Sequence, residues 1–293
     1  GAPPRPRLAA AGGAPPPVAA EEAIPNVVFL TGPWDPLNVV QRSAEVLPKG
    51  AEFRFYNYSQ MDQSVLEISP LLEREGVYNV SDAFQSLRPR SFRTDLWRYM
   101  VLWQSGGIYL DAKIALTAPV STWVDQQRDS LAVCWDRKQR AEMYWTAMLA
   151  ARRGSPTLLA IIRQIVSNVQ ARYYGPPRGV DHADLYITGR GMLTEVLRRE
   201  TPRGLRSSCR LHVSQMWKVN IPESKVRETT GRKRVIAEVD EDVHRAMRSC
   251  DNCDSYGSLF QRHQVYCSER GPRCQFSVTP LPPAERYASL VVS

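Results

Sequence analysis

The chain has 293 residues, 43% hydrophobic and 23% charged, with a formal net charge of +8 and a pI near 9.3. That composition belongs to a soluble globular chain able to build one sizeable core. It contains no apolar run of 18 residues, which excludes a membrane span within this sequence. The basic residues are spread along the chain, apart from Arg232-Lys233-Arg234, which reads as a solvated loop or as an attraction for an anionic ligand. No aromatic-basic nucleic-acid motif is present, so no nucleic-acid partner is expected.

Residues 1–23 are mostly Ala, Pro and Gly, too poor in large apolar side chains to offset the entropy of ordering, and read as a flexible leader. The order that follows is strand, helix, strand, helix. Ile24 to Leu30 is a buried strand stopped by Thr31-Gly32-Pro33. Asp35 to Val46 is a helix, Ala51 to Asn57 an alternating strand, and Val65 to Glu75 a helix ending before Gly76. This alternation predicts an α/β fold with a mainly parallel, Rossmann-like sheet flanked by helices.

The segment Ser91 to Lys113 carries most of the chemistry. Thr94 is expected to cap a helix, with Asp95 facing its positive end and Arg98 on the same side of the first turn. Gly106-Gly107 ends that helix, Ile108 to Leu110 is a strand, and Asp111 falls at the strand's carboxyl end, where open parallel sheets hold ligands. Asp95 also reads as a plain capping acid, and Arg98 as an ion-pair partner of Asp95 or Asp111. Further on, Leu131 to Trp135 is a strand, and Ser155-Pro156 opens a helix to about 172. Thr188-Gly189-Arg190-Gly191 leads into a helix over Met192 to Arg199. It is either a simple turn or a place where an acceptor or phosphate meets the backbone.

Residues 205–293 read as a Cys-rich cap packed on the domain spanning 24–204. Of the six cysteines, 250, 253, 267 and 274 cluster there. Two disulfides, a zinc site and free thiols are the alternatives, the six residues between Cys267 and Cys274 being too wide for a usual zinc knuckle. The sequons at Asn57 and Asn79 agree with disulfides in pointing to a secretory compartment.

The run Ser91, Asp95, Arg98, Tyr99, Gly106, Gly107, Tyr109, Asp111 resembles the DXD-containing glycosyltransferase sugar-binding family. Ile24-Pro25 and the strand after it, and Thr188-Gly189, resemble flanking segments of the same family. The resemblance implies a single GT-A domain, a nucleotide-sugar donor, and retaining transfer of a hexose to a glycan or glycoprotein. It implies a Golgi-lumen enzyme whose type II anchor is absent from this chain, membrane contact being through that anchor alone. It also places Thr31 and Gly32 near the base, Asp95 and Arg98 at the donor sugar and phosphates, and Tyr109 and Asp111 at the ribose and metal shell.

Lys113 stands where the family has its second Asp. An Asp-x-Asp pair on an extended segment points both carboxylates one way and holds a divalent cation, Mn or Mg, against the leaving diphosphate. Three expectations follow. Lys113 replaces the cation and works with Asp111 in catalysis. Alternatively, Asp111 still holds a metal with help from Asp181, His182, Asp184 or His263. In the third case the site is catalytically silent and serves as a carbohydrate-binding or assembly module.

Overall fold

The computed structural model describes residues 23–136, 143–176, 183–200, 211–214, 225–227, 235–248, 256–267 and 287–292. Residues 1–22 of the leader, Asp181, His182, the basic triplet 232–234 and cysteines 209, 250, 253 and 274 lie outside them.

Strand β1 (Val27–Gly32) leads through helix α1 (Leu37–Ala44) to β2 (Glu52–Asn57). Helix α2 (Tyr58–Arg74) begins seven residues earlier than its apolar pattern predicts. The cause is a capping box. The Asn57 side chain accepts from the Gln60 N–H, and the Gln60 side chain accepts from the Asn57 N–H. Short α3 (Val80–Ser86) is followed by α4 (Arg90–Ser105), β3 (Gly107–Leu110), β4 (Ile114–Leu116), β5 (Leu131–Asp136) and β6 (Met143–Ala151). Helices α5 (Pro156–Gln170) and α6 (Arg190–Glu200) follow. Then come β7 (Leu211–Ser214), β8 (Lys225–Arg227), β9 (Val235–Val239), α7 (Glu241–Arg248), α8 (Tyr256–Gln261) and β10 (Ala288–Val291). Ser155 caps α5, its hydroxyl accepting from the Leu158 N–H.

The α/β class is as expected, but the mainly parallel sheet is not. The order is β10-β2-β1-β3-β6-β5-β7-β8-β9-β4, and only β1–β2, β1–β3 and β5–β7 pair in parallel. The sheet is mixed in part because β6, not among the strands expected from the sequence, inserts antiparallel between β3 and β5, and β10, β8, β9 and β4 also pair antiparallel. A nine-residue strand returning beside its neighbour needs no helical crossover, so the pairing reverses sense. Strands after residue 204 extend the same sheet, β10 on β2 and β9 on β4.

Two hydrophobic clusters cover the two faces. One gathers α2, α3, α4, α5 and α6, and the other α1, β4 and the segment around Trp123. Helix α4 is buried almost all round, with Phe92, Leu96, Trp97, Tyr99 and Met100 at 1% exposure or less. Each such side chain contributes roughly 1.5–3 kcal/mol of burial. Trp97 also donates its Nε1–H to Ser64 Oγ at 2.7 Å. The helix is therefore a rigid mount for the polar residues it carries. Gly107 lets β3 come close to β1. It has φ 111°, and a Cβ there would stand 2.5 Å from the Val27 carbonyl oxygen.

Candidate functional site

Strands β1 and β3 run in parallel with Phe29 opposite Tyr109, so their carboxyl ends lie side by side. A Cβ at Gly32 would lie 3.5 Å from that of Ala112. Asp111 is the first residue past β3, and its N–H still donates to the Ala147 carbonyl of β6. The chain then turns rather than continuing extended, with the Ile114 N–H donating to Asp111 O at 2.8 Å. This corrects the expected extended Asp-x-x geometry. Asp111 and Lys113 converge through a β-turn, Nζ to Oδ2 at 3.9 Å.

Helix α4 supplies the second half of the site. It begins at Arg90, after Pro89, so Thr94 is an interior residue and not the cap. Asp95 therefore does not face the helix end, and its charge is met by side chains. Arg98 Nη2 pairs with Asp95 Oδ1 at 2.9 Å, as the spacing of three predicts. Thr188 donates its hydroxyl to Asp95 Oδ2 at 2.8 Å. The same Arg98 nitrogen lies 3.6 Å from Asp111 Oδ1, while Nη1 donates to the Thr146 carbonyl of β6. The guanidinium lies over the Tyr109 ring, 4.6 Å from its centroid, and the Tyr109 hydroxyl donates to Asp111 Oδ1 at 2.9 Å. Asp95, Arg98, Tyr109, Asp111, Lys113 and Thr188 thus form one connected network of alternating charge.

The network is partly buried. The Arg98 side chain is 6% exposed, whereas those of Asp111 and Lys113 are 22% and 29% exposed and form its open rim. Burial pushes the Asp95 carboxyl above its ordinary value, against the opposing pull of Arg98 and of the Thr188 hydrogen bond. Burial alone would lower Arg98. The Tyr109, Asp95 and Asp111 groups around it reverse that, and it stays charged. The Tyr109 phenol is raised well above its ordinary value, chiefly by burial, so it is a proton donor to Asp111.

The other expected residues have different surroundings. Thr31 is buried, and its hydroxyl donates to the Tyr56 carbonyl at 2.8 Å. Gly189 lies close to the network, since a Cβ there would stand 3.5 Å from Asp95 Oδ2. Arg190 is the first residue of α6, and its carbonyl accepts from the Thr194 hydroxyl at 2.7 Å. Asp184 is on a short 3-10 turn over Ala183–Tyr186, and His263 lies against the Tyr174 ring at 4.7 Å. Two contributors went unforeseen. Thr146 sits on the unexpected strand β6, and Asp240 donates its N–H to the Lys113 carbonyl at 2.7 Å. A signal for Asp240 was present, because it precedes an acidic first turn. Its carboxylate caps α7 by accepting from the Val243 N–H at 3.0 Å.

Residues 39–130, which contain Asp95, Arg98, Tyr109, Asp111 and Lys113, match the family described as "Glycosyltransferase sugar-binding region containing DXD motif". No curated protein matches the chain. Among solved structures it is similar to PaToxG glycosyltransferase, at 15% identity over 62% of this chain and 70% of that one, with a TM-score of 0.40. It is similar to the UDP-bound glycosyltransferase domain from the YGT toxin, at 13% identity over 54% of this chain, with a TM-score of 0.33. The aligned part is 52% of that toxin domain, about half its length. Mouse xyloside xylosyltransferase 1 aligns at 10% identity over 87% of this chain and 99% of its own, with a TM-score of 0.31.

A DXD site implies a divalent cation, and among the described residues the pair that would hold it is reduced to one carboxylate, Asp111, beside Lys113. Both oxygens of Asp111 face cationic side chains, Arg98 at 3.6 Å and Lys113 at 3.9 Å. A divalent ion held by Asp111 would be repelled by both side chains. Among the described residues no group of three or more His, Cys, Asp or Glu side chains could hold a metal.

Proposed function

We propose, from the match of residues 39–130 to the DXD-containing sugar-binding family, that this protein is a glycosyltransferase of GT-A type using a nucleotide-sugar donor. The observation that carries the proposal is the convergence of Asp95, Arg98, Tyr109 and Asp111 at the carboxyl ends of β1 and β3. Ligands bind at that edge of a parallel ladder. Its open rim offers one carboxylate and one ammonium, a set suited to sugar hydroxyls and an anionic leaving group.

In the reaction we infer, the bond from the anomeric carbon to the donor diphosphate breaks. A bond from that carbon to an acceptor hydroxyl oxygen forms on the same face, and the acceptor proton ends on the leaving phosphate. This is retaining transfer, which needs no separate general base. Arg98 and Tyr109 fix the Asp111 carboxylate for the sugar, and positive charge at the rim stabilises the departing phosphate. A hexose donor and a glycan or glycoprotein acceptor belong to the same reading. So does a lumenal, Golgi-type location, for which the exposed sequon residues Asn57 and Asn79 offer support. No helix among the described residues is long and apolar enough to cross a membrane.

The second reading, a catalytically silent carbohydrate-binding or assembly module, is favoured by one observation, Lys113 in place of a carboxylate. Incubation with a panel of nucleotide sugars, followed by measurement of released nucleotide, separates the two. A transferase releases nucleotide slowly without acceptor, by hydrolysis, and faster with it, by transfer, and Asp111→Asn abolishes both. A silent module releases nothing from any donor.

A further inference from the structure

The rim of the site holds two charges of opposite sign where the family expects two carboxylates. Asp111 is engaged on both oxygens. Oδ1 accepts from the Tyr109 hydroxyl at 2.9 Å and faces Arg98, and Oδ2 faces Lys113. The Lys113 main chain is fixed as well, lying in the turn closed by the Ile114 N–H and giving its carbonyl to the Asp240 N–H. The ammonium is thus carried on a short, pinned segment at the mouth of the network, and Arg98 stands behind Asp111. A lysine on a mobile backbone would lose more of its attraction for a phosphate to ordering entropy than this one, whose main chain is already held.

We propose that the Lys113 ammonium, held against Asp111, takes the place of the divalent cation toward the donor diphosphate, so that this protein binds its nucleotide without metal. The proposal rests on the glycosyltransferase reading above. Asp111 then orients Lys113 and does not ligate an ion. Lysine binds phosphate as a compact point charge with three rotatable donors, and needs no octahedral ligand set.

The test uses UDP and GDP as probes in calorimetry, with Mn2+ and separately with EDTA. It also follows the free Mn2+ signal by electron paramagnetic resonance, compared with nucleotide alone. The wild-type protein binds one of the two nucleotides with unchanged affinity in EDTA, and it adds nothing to Mn2+ capture. Lys113→Met lowers affinity by about 30-fold, the scale of one lost charge-assisted hydrogen bond, and Mn2+ does not restore it. Lys113→Asp, which recreates the two-carboxylate pattern, loses binding in EDTA, regains it with Mn2+ and captures Mn2+ in the resonance signal. The wild-type comparison needs no variant and decides the matter even if a variant misfolds. Binding by the wild type only with Mn2+ overturns the proposal and leaves the glycosyltransferase reading intact. Binding of neither nucleotide under either condition overturns both.

Discussion

Thr188 and Asp95 are 93 positions apart in the chain and 2.8 Å apart in the fold, hydroxyl to Oδ2. This bond ties the turn before α6 to the middle of α4, and it brings Gly189 against the charge network. A hydrogen bond to a buried carboxylate contributes about 1.5–3 kcal/mol. Thr188→Val is expected to lose that amount, and Thr188→Ser to keep most of it. Urea denaturation of the three proteins, with unchanged m-values, checks the expectation.

Arg98 is the most connected side chain of the site, joining Asp95, Asp111, the Thr146 carbonyl and the Tyr109 ring. Removing one partner of a buried ion pair strands the other. Arg98→Ala should therefore destabilise by about 3–5 kcal/mol, and replacing Asp95 and Arg98 together by apolar residues should cost less than the two single changes added. A double-mutant cycle in denaturant measures the difference. A fully additive cycle contradicts the pairing.

Asp95 gives the site a pH dependence with a definite sign. Burial raises its folded-state pKa above the ordinary 3.8. A carboxyl that holds its proton more tightly when folded adds stability that is fully present below the unfolded value. That stability is lost as pH rises through the folded value. Asp95→Asn removes this contribution. Across a titration from neutral toward pH 4, about the unfolded carboxylate value, the stability of wild type relative to Asp95→Asn should rise. A difference that stays flat or falls would contradict the raised value.

Gly107 is predicted to tolerate no side chain. With the Val27 carbonyl oxygen 2.5 Å from where a Cβ would stand and φ at 111°, Gly107→Ala must push β3 away from β1 or strain the backbone. The expected cost is more than about 4 kcal/mol, among the larger single-residue effects. Loss of soluble, cooperatively melting protein is the readout. Gly50→Ala, where nothing lies within 4 Å of the added Cβ, serves as the comparison for positive φ alone.

Local spacing made the core of the site legible. Asp95 and Arg98 at i and i+3, the Gly-Gly stop and a carboxylate at a strand end are all contained in one short stretch, and each follows from residue identity and spacing. What the sequence hid was set by tertiary context. Met143–Ala151 is a run of apolar residues with Thr146 inside, and its composition alone does not separate a strand from a buried helix. It became β6, made the sheet mixed and supplied the carbonyl that holds Arg98. Thr94 looked like a cap because Thr is a good one, yet the chain was already helical from Arg90, just past Pro89. The turn at Asp111 is not legible in the spacing, because Asp-x-Asp fits an extended strand equally well, whereas β4 leaves to pair with β9. Asp240 came to Lys113 through that same pairing, from a tail with little periodicity of its own.

A nucleotide-sugar site built on Asp95, Arg98, Asp111 and Lys113 can be checked by titrating a panel of nucleotide sugars into the protein in a calorimeter, beside Arg98→Lys. One donor is expected to bind with 1:1 stoichiometry, and Arg98→Lys to weaken it, because a lysine cannot reach Asp95, Asp111 and the Thr146 carbonyl together. Absence of binding for every donor, or equal binding by the variant, would contradict it.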